Sequence, residues 1–299
     1  MNNSSADVAQ REAKVTVIVP TMARPERRLQ LQRAIHSIRA SSAEPIWIIV
    51  VVNGTQFDVS VCAWLREQTD VQLEMLSTPS APGAVLRGRE LVRTEFFSTL
   101  DDDDEYLPRS TDLKICALLN NKDADLLVAN LYTHTEGVDE LTYDRLLEVP
   151  ANPLGCLMKF AWLHNGNALY RTKSVDVAYF KDFHSYVEWT WLAFRLSLDG
   201  KIVAVLDQPV FRYYDTALSL SKSEAYLKAY FSLFRRMLEC SPPRHIVQMI
   251  HRKTSASHHD ASVAALAAGR RAEAWNHHWK SLRKACGLRY LSYTRRLFL

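Results

Sequence analysis

Long apolar runs are missing from this sequence. The longest, Ile46–Val52, has seven residues, where a membrane-spanning helix needs about 20, so a transmembrane segment is excluded. The first fifteen residues are polar, with Arg11 and Lys14 behind Asp7 and no apolar stretch after them. A secretory signal is therefore excluded, and the expected location is the cytosol. Cysteine is scarce, and Cys62, Cys116, Cys156, Cys240 and Cys286 lie dozens of residues apart with no C-x-x-C pair. That spacing excludes a disulfide-stapled small fold and a cysteine zinc site, and it points to free thiols in a reducing compartment. Glycine and proline, at 9 and 11 residues of 299, are too few for a collagenous or low-complexity chain. No internal repeat is present. What remains is the composition of an ordinary folded protein of one or two domains.

Acids are nearly absent from one end. Residues 270–299 hold Arg270, Arg271, Lys280, Arg283, Lys284, Arg289, Arg295 and Arg296 against the single acid Glu273. Trp275, Trp279, Tyr290, Tyr293 and Phe298 lie among them. Basic residues mixed with aromatics suit a segment that lies on an anionic membrane or binds a polyanion. They equally suit a helix whose aromatics dock on the main domain.

Residues 1–13 read as a disordered leader. Val15–Val19 and Pro45–Val52 are short β-branched apolar runs closed by Pro-Thr and Asn-Gly turns, which reads as strands of a parallel sheet buried on both faces. Between them Arg27–Ala40 carries apolar residues at helical spacing. A helix near 61–68, a strand 71–76, a helix 83–92 and a strand 95–100 continue the alternation, which predicts an α/β layered fold. Further on, 124–130 reads as a buried strand, 133–151 as a polar loop, 167–170 as a short strand, 185–199 as a helix and 201–205 as a strand. From Ser221 onward only helices are expected, at about 224–240, 246–252 and 260–285, around the Pro242-Pro243 break. This sets a main domain at 14–222 and a helical extension with a basic aromatic tail at 223–299.

Ligands of open α/β sheets bind at the carboxyl ends of the strands. Three polar turns fall there: Pro20-Thr21-Met22-Ala23-Arg24, Asn53-Gly54-Thr55, and Asp101-Asp102-Asp103-Asp104-Glu105. Four adjacent carboxylates at a buried sheet edge repel one another unless a cation relieves them. In extended chain Asp101 and Asp103 would share one side and Asp102 and Asp104 the other. Hard carboxylate ligands that leave positions open for phosphate oxygens suit Mg2+ or Mn2+ rather than zinc. The competing reading is a solvated acidic turn ahead of a helix starting near Ser110.

The segments VTVIVPTMARPERRLQLQRAIHSI, IIVVVNGT and GAVLRGRELVRTEFFSTLDDDDEYLP resemble the amino-terminal half of the family 2 inverting glycosyltransferases of GT-A fold. GNALYRTKSV and YVEWTWLAFRLSLDGKIVAVLDQPVFRYY resemble the acceptor half, so the resemblance covers roughly residues 14–222. It implies a Rossmann-like, mostly parallel sheet flanked by helices, a nucleotide-sugar donor, Mg2+ or Mn2+ at a D-x-D motif, and transfer to an acceptor hydroxyl with inversion. By position it implies that Pro20, Thr21 and Arg24 form the first nucleotide-binding loop and that Asn53 lies in the turn after the second strand. Arg87 would lie near the nucleotide, Asp101 and Asp102 on the ribose or metal side, and Asp103 on the metal. Two positions depart from the family pattern. Val52 stands where an acid suited to reading the base often precedes the Asn. The Glu-Asp that opens the acceptor-side helix is Glu188-Trp189 here, with Trp189 on the acceptor side.

Glu188 is thus the candidate general base, since a positioned carboxylate can take the proton of a weakly nucleophilic hydroxyl, and Asp182 is the fallback. Ser185-x-x-Glu188 is also a capping-box pattern, in which Glu would bond back to the N-cap instead. Trp162, Trp189, Tyr213 and Tyr214 are either sugar-stacking walls or packing residues. His258-His259 and His277-His278 read as surface residues, and His184 lies close to Glu188 in sequence. The expected activity is a metal-dependent inverting glycosyltransferase of bacterial surface-glycan synthesis, acting on a glycan or lipid-linked acceptor, cytoplasmic or peripheral on the inner membrane face. A sugar nucleotidyltransferase is the rival enzyme, but it wants a glycine-rich loop after the first strand, and residues 20–24 contain no glycine. A non-catalytic protein gripping anionic lipid or nucleic acid with its tail is the rival outside enzymes. It would have no use for Asp101–Asp104, and nucleic acid is not expected as a partner.

Overall fold

The computed structural model describes residues 12–215 and 224–298. Residues 1–11 of the expected leader and the expected boundary near residue 222 lie outside the described residues. The chain divides into two compact units, Met1–Cys156 with Ala161–Ser219, and Leu157–Phe160 with Leu220–Leu299.

Among the described residues the first unit is built on one nine-stranded sheet of order β3 (Val71–Leu76), β2 (Ile46–Asn53), β1 (Val15–Thr21), β4 (Phe96–Thr99), β8 (Ala168–Arg171), β6 (Leu126–Thr135), β9 (Val203–Tyr214) and β5 (Glu105–Tyr106), with β7 (Val138–Leu141) paired to β6. Strands β1 (Val15–Thr21) and β2 (Ile46–Asn53) are buried at every residue. Successive side chains of a strand point to opposite faces, so such strands are covered on both, which is why they read as unbroken apolar runs. β3 (Val71–Leu76) lies at the edge and is only half-buried. It pairs in parallel with β2, β2 with β1, and β1 with β4 (Phe96–Thr99). β8 (Ala168–Arg171) then runs antiparallel between β4 and β6 (Leu126–Thr135), and β6 is parallel to β9 (Val203–Tyr214). The long pairings are the parallel ones, so by paired residues the sheet is mostly parallel.

Helices α1 (Arg28–Ala40), α2 (Val59–Glu67), α3 (Ala81–Leu91) and α4 (Ser110–Asn120) pack on the sheet. α2 is capped by Asp58, whose side chain accepts from the Ser60 and Val61 amides at 2.8 and 3.0 Å, and α3 is capped by Ser80. α3 approaches β1 so closely at Gly88 that a Cβ there would sit 2.4 Å from a methyl carbon of Ile18. Only glycine allows that helix-to-strand distance.

Of the expected polar loop 133–151, residues 142–151 are irregular apart from one short 3-10 turn at Leu146–Glu148, but 133–141 are not a loop. β6 continues to Thr135 and turns into β7 (Val138–Leu141) through Glu136 and Gly137, both at positive φ, the geometry of a two-residue hairpin turn. The residues are polar because the hairpin is solvated. His134 and Arg212 both bond Asp139, at 2.6 and 2.7 Å. The strand expected at 201–205 likewise extends to Tyr214.

The first unit also holds α5 (Glu188–Leu198), and the second unit is helical, with α6 (Glu224–Glu239), α7 (Arg244–Ala267), α8 (Arg271–Leu282) and α9 (Thr294–Phe298). α7 and α8 are stitched by serines: Ser262 donates to the Ala274 carbonyl at 2.7 Å, and Ser255 and Ser281 each donate to the other's carbonyl. Ala265, Ala274, Tyr293 and Leu297 form the local core, with Trp275 packed against it and edge-on to Phe298. Several tail aromatics are thus used inside this helical unit. The paired histidines are not surface residues as expected. His278 is fully buried and bonds Thr294, while His258 and His277 bond each other through Nδ1 at 3.1 Å. Burial holds the His258 imidazole down at about 4, aided by repulsion from His277.

Candidate active site

The three polar turns meet at one sheet edge, in the register of a parallel β1-β2 pair that sets Thr21 beside Val52. The Thr21 hydroxyl donates to Asp102 Oδ2 at 2.6 Å and accepts from the Ala23 amide at 2.9 Å. Asn53 donates through Nδ2 to the Thr21 carbonyl at 2.9 Å. Thr21 and Asn53 therefore form a buried chain beneath Asp102, while Pro20 is a β1 residue opposite Val51. Arg24 is exposed at the rim, and its side chain forms no ion pair with Glu26 among the described residues.

Asp101–Asp104 form a turn rather than an extended segment, closed by a bond from the Asp104 amide to the Asp101 carbonyl at 3.2 Å. The expected alternation survives in a different form. Asp102 and Asp104 are 6% and 1% exposed, whereas Asp101 and Asp103 are more open. The buried pair is fixed by protein groups: Asp102 by Thr21 and Arg27, and Asp104 by the Tyr214 amide, which donates to Oδ1 at 3.0 Å. Asp104 Oδ2 is buried with no hydrogen-bond partner. Desolvation, followed by repulsion from Asp103, Asp102 and Glu188, pushes the Asp101 carboxyl well above the usual carboxylate range. Asp104 is raised by desolvation and by Asp101 and Asp103. Asp102 is also raised by burial, although Arg27 and Thr21 oppose it.

Two arginines that the sequence reading passed over complete the cluster. Arg27, at the end of the one-turn 3-10 helix Pro25–Arg27, donates through Nη2 to Asp102 Oδ1 and lies equally close to Asp103 Oδ2, both at 2.6 Å. Arg33 of α1 donates to the Asp103 carbonyl oxygen and stacks on Tyr214 at 3.9 Å. The run of basic residues after β1 was the available signal, but only the fold shows which of them turn toward the acids. Arg87 is not brought to the acid run; it pairs with Glu74 of β3 at 3.0 Å and with Glu90 at 3.6 Å.

Glu188 lies near enough to the cluster for its charge to add to the rise of the Asp101 carboxyl. The capping box is overturned: the N-cap of α5 (Glu188–Leu198) is Val187, with no side-chain cap bond, because Tyr186 at φ 71° breaks the turn before it. Glu188 is the first helical residue rather than the third, and its Oε2 is buried without a hydrogen-bond partner. Burial raises its carboxyl above the ordinary value. It lines an apolar pocket with Trp189, Pro82, Phe180 and Leu192. Asp182 borders the same pocket but is engaged by Arg195 at 2.5 Å. Asn165 lies close enough to Asp101 to ease its carboxyl slightly, and its own buried Oδ1 is left without a hydrogen-bond partner. Gly166 follows at φ 93°, where a Cβ would press on the Phe211 ring at 3.0 Å. Beneath this turn, burial lowers the Lys114 amine to about 7, with its Nζ over the Tyr106 ring.

Of the candidate stacking residues, Trp162 is core, 0% exposed and bonded to the Pro153 carbonyl. Tyr214 is held by Glu105 and Arg33, and Tyr213 packs edge-on against His164. Only Trp189 faces the pocket. Among the described residues no three acid, His or Cys side chains converge into a complete metal cage. The acids nevertheless fit a hard divalent ion, because they present oxygen donors, one of them orphaned, at a point where negative charge exceeds its compensation.

Residues 16–180 match the family model described as glycosyl transferase family 2. Among solved structures, S. aureus TarS 1–349 in complex with UDP-GlcNAc superposes with a TM-score of 0.57 at 16% identity, covering 79% of this chain and 70% of that one. The same fragment in complex with UDP gives 0.52 at 14% identity over 88% of each chain. S. aureus TarS itself gives 0.56 at 14% identity, with 79% of this chain and 42% of that one covered. At these identities the likeness is one of fold. No curated protein sequence matches.

Proposed function

From the premise that this chain belongs to glycosyl transferase family 2 and is a glycosyltransferase of GT-A fold, we propose that it moves a sugar, with inversion, from a nucleotide-sugar donor to a hydroxyl of a glycan or lipid-linked acceptor. Bacterial surface polysaccharide is the product class we assign. Residues 14–222 form the catalytic domain in this reading and residues 223–299 a helical extension. The observation that carries it is Glu188, a carboxylate with an unpartnered buried oxygen in an apolar pocket, close enough to the acid run for Asp101 to feel its charge. A base within electrostatic reach of an acid cluster is what transfer from a diphosphate leaving group to a hydroxyl needs.

Glu188 takes the acceptor hydroxyl's proton as its oxygen attacks the anomeric carbon, and the bond from that carbon to the diphosphate oxygen breaks on the opposite side. Asp103 would hold Mg2+ or Mn2+, with Asp101 or Asp102 on the ribose side, and the bound ion supplies charge neutralisation to the departing diphosphate. Pro20, Thr21 and Asn53 shape the floor under the nucleotide, exposed Arg24 forks onto phosphate oxygens, and Arg87 lies on the nucleotide side along β3. Trp189 presents its ring to the acceptor.

The test is a thermal-shift panel of UDP-, GDP-, dTDP- and CMP-sugars, with and without Mn2+, because a ligand that binds only the folded state raises its melting temperature. UDP-GlcNAc, the ligand in the TarS complex, is the first member. One nucleotide class is expected to raise the melting temperature when Mn2+ is present. A flat response to all four rejects the donor assignment.

No helix among the described residues is long and apolar enough to cross a membrane. We assign an anionic membrane surface as a partner, bound through residues 270–299. Trp279, Leu288, Leu291 and Phe298 are exposed there beside Arg283, Arg289, Arg295 and Arg296, and each basic residue near such a surface contributes about 1 kcal/mol. Reversing Arg283, Arg295 and Arg296 to Glu leaves the small core of Ala265, Ala274, Tyr293 and Leu297 intact. It should abolish sedimentation with phosphatidylglycerol vesicles while sparing transfer to a soluble acceptor. Undiminished vesicle binding by that variant would make the tail purely structural.

A further inference from the structure

The acid run already has a cation of its own. One nitrogen of Arg27 lies 2.6 Å from Asp102 Oδ1 and 2.6 Å from Asp103 Oδ2. The Arg27 side chain is 40% exposed and that of Asp103 39%, so both remain open to a ligand. Arg27 Nε is buried with no hydrogen-bond partner, and the residue sits on a single 3-10 turn rather than within a packed helix. Arg33 is placed differently. It is spent on the Asp103 carbonyl and on the Tyr214 ring, and it leaves the carboxylate free.

Building on the assignment of Asp103 as the metal ligand, we propose that Arg27 is a resident counter-cation that competes with the divalent ion for Asp103 and is drawn off by the donor's diphosphate. Two cations at contact distance from one carboxylate oxygen repel each other, so each weakens the other's hold. A guanidinium forks onto phosphate oxygens with the geometry it uses on carboxylates. A diphosphate that takes Arg27 therefore uncovers Asp103, and metal affinity rises when diphosphate is present. Linkage makes the effect reciprocal: metal raises diphosphate affinity by the same factor. Asp102 and Asp103 thus keep a counter-charge in the free protein, and metal and donor load together.

The experiment is direct Mn2+ binding, followed by the electron paramagnetic resonance of free Mn2+, with and without inorganic pyrophosphate as a base-independent probe. Wild type, Arg27→Gln, Arg27→Lys and Asp103→Asn are compared, with melting temperatures recorded for each. Arg27→Gln should tighten Mn2+ binding without pyrophosphate by about tenfold, within the usual range of coupling factors, and should shrink the gain that pyrophosphate brings. Arg27→Lys keeps one charge but loses the fork, and it should show the same changes at a smaller size. If Gln at this position does not fold, the Lys variant carries the test. Asp103→Asn should abolish the binding. Mn2+ affinity that stays the same or weakens on replacing Arg27, with Asp103→Asn inactive in binding, overturns the counter-cation role alone. Mn2+ binding that survives Asp103→Asn overturns the metal assignment, and the inference falls with it.

Discussion

Glu188→Gln is expected to lower the transfer rate by on the order of 10² or more, the usual contribution of a positioned general base, with melting temperature and donor affinity nearly unchanged. Gln is isosteric and can still accept a hydrogen bond, but it cannot take a proton. The structural alternative for this residue has gone, since Val187 rather than Ser185 precedes the first turn of α5 and no side-chain cap bond forms. Ser185→Ala should accordingly be silent in stability, where loss of a real N-cap would cost about 1 kcal/mol. The pH profile gives a second readout. Burial raises the Glu188 carboxyl, and the base works deprotonated. The kcat/KM of the wild type should rise with pH through a limb placed above the ordinary carboxylate range, and that limb should vanish in the Gln variant. Near-normal turnover of Glu188→Gln would remove the catalytic role and transfer it to Asp182, which would then have to leave Arg195.

Asp103→Asn should abolish the Mn2+-dependent stabilisation by nucleotide-sugar while the fold persists. At a ligand concentration a hundredfold above Kd, binding to the folded state stabilises by about 2.7 kcal/mol, which moves the melting temperature of a domain of this size by roughly 5–10 °C. That shift should disappear. Asn keeps the shape of the side chain, and Arg27 retains Asp102 as a partner at 2.6 Å, so the turn has no reason to open. Removing one charge also relieves the repulsion that raises Asp101 and Asp104, and the unliganded variant should melt no lower than the wild type. A full Mn2+-dependent shift in Asp103→Asn would show that another group holds the ion.

Much of the fold was legible because it rests on local pattern. β1 and β2 are continuous β-branched runs, and a run of that kind closed by turn residues has few alternatives to a strand covered on both faces. The helices between them follow from apolar spacing, while the Asp58 cap that starts α2 before residue 61 came from the structure. The resemblance added the order of the motifs, and with it the family and the acid run as the place where chemistry gathers. The polar hairpin of β6 and β7 escaped notice because a solvated strand pair has no apolar run to betray it. Its only marker was Glu136-Gly137, which takes positive φ twice in succession.

The sequence alone determined that Asp101–Asp104 lie at the carboxyl end of a central strand, because that depends on the order of residues along the chain, whereas the position of Glu188 as the first residue of α5 rather than the third came from the structure. Tertiary structure decided the partners. That Thr21 and Asn53 support Asp102 from below, that Arg27 and not Arg24 closes on the acids, and that Asp104 spends one oxygen on the Tyr214 amide are contacts between residues 32 to 110 positions apart. No local propensity encodes such pairings. They appear only when burial of β1, β2 and β4 in one sheet brings the turns together, and the low dielectric created by that burial is also what raises the carboxyls of Asp101 and Glu188.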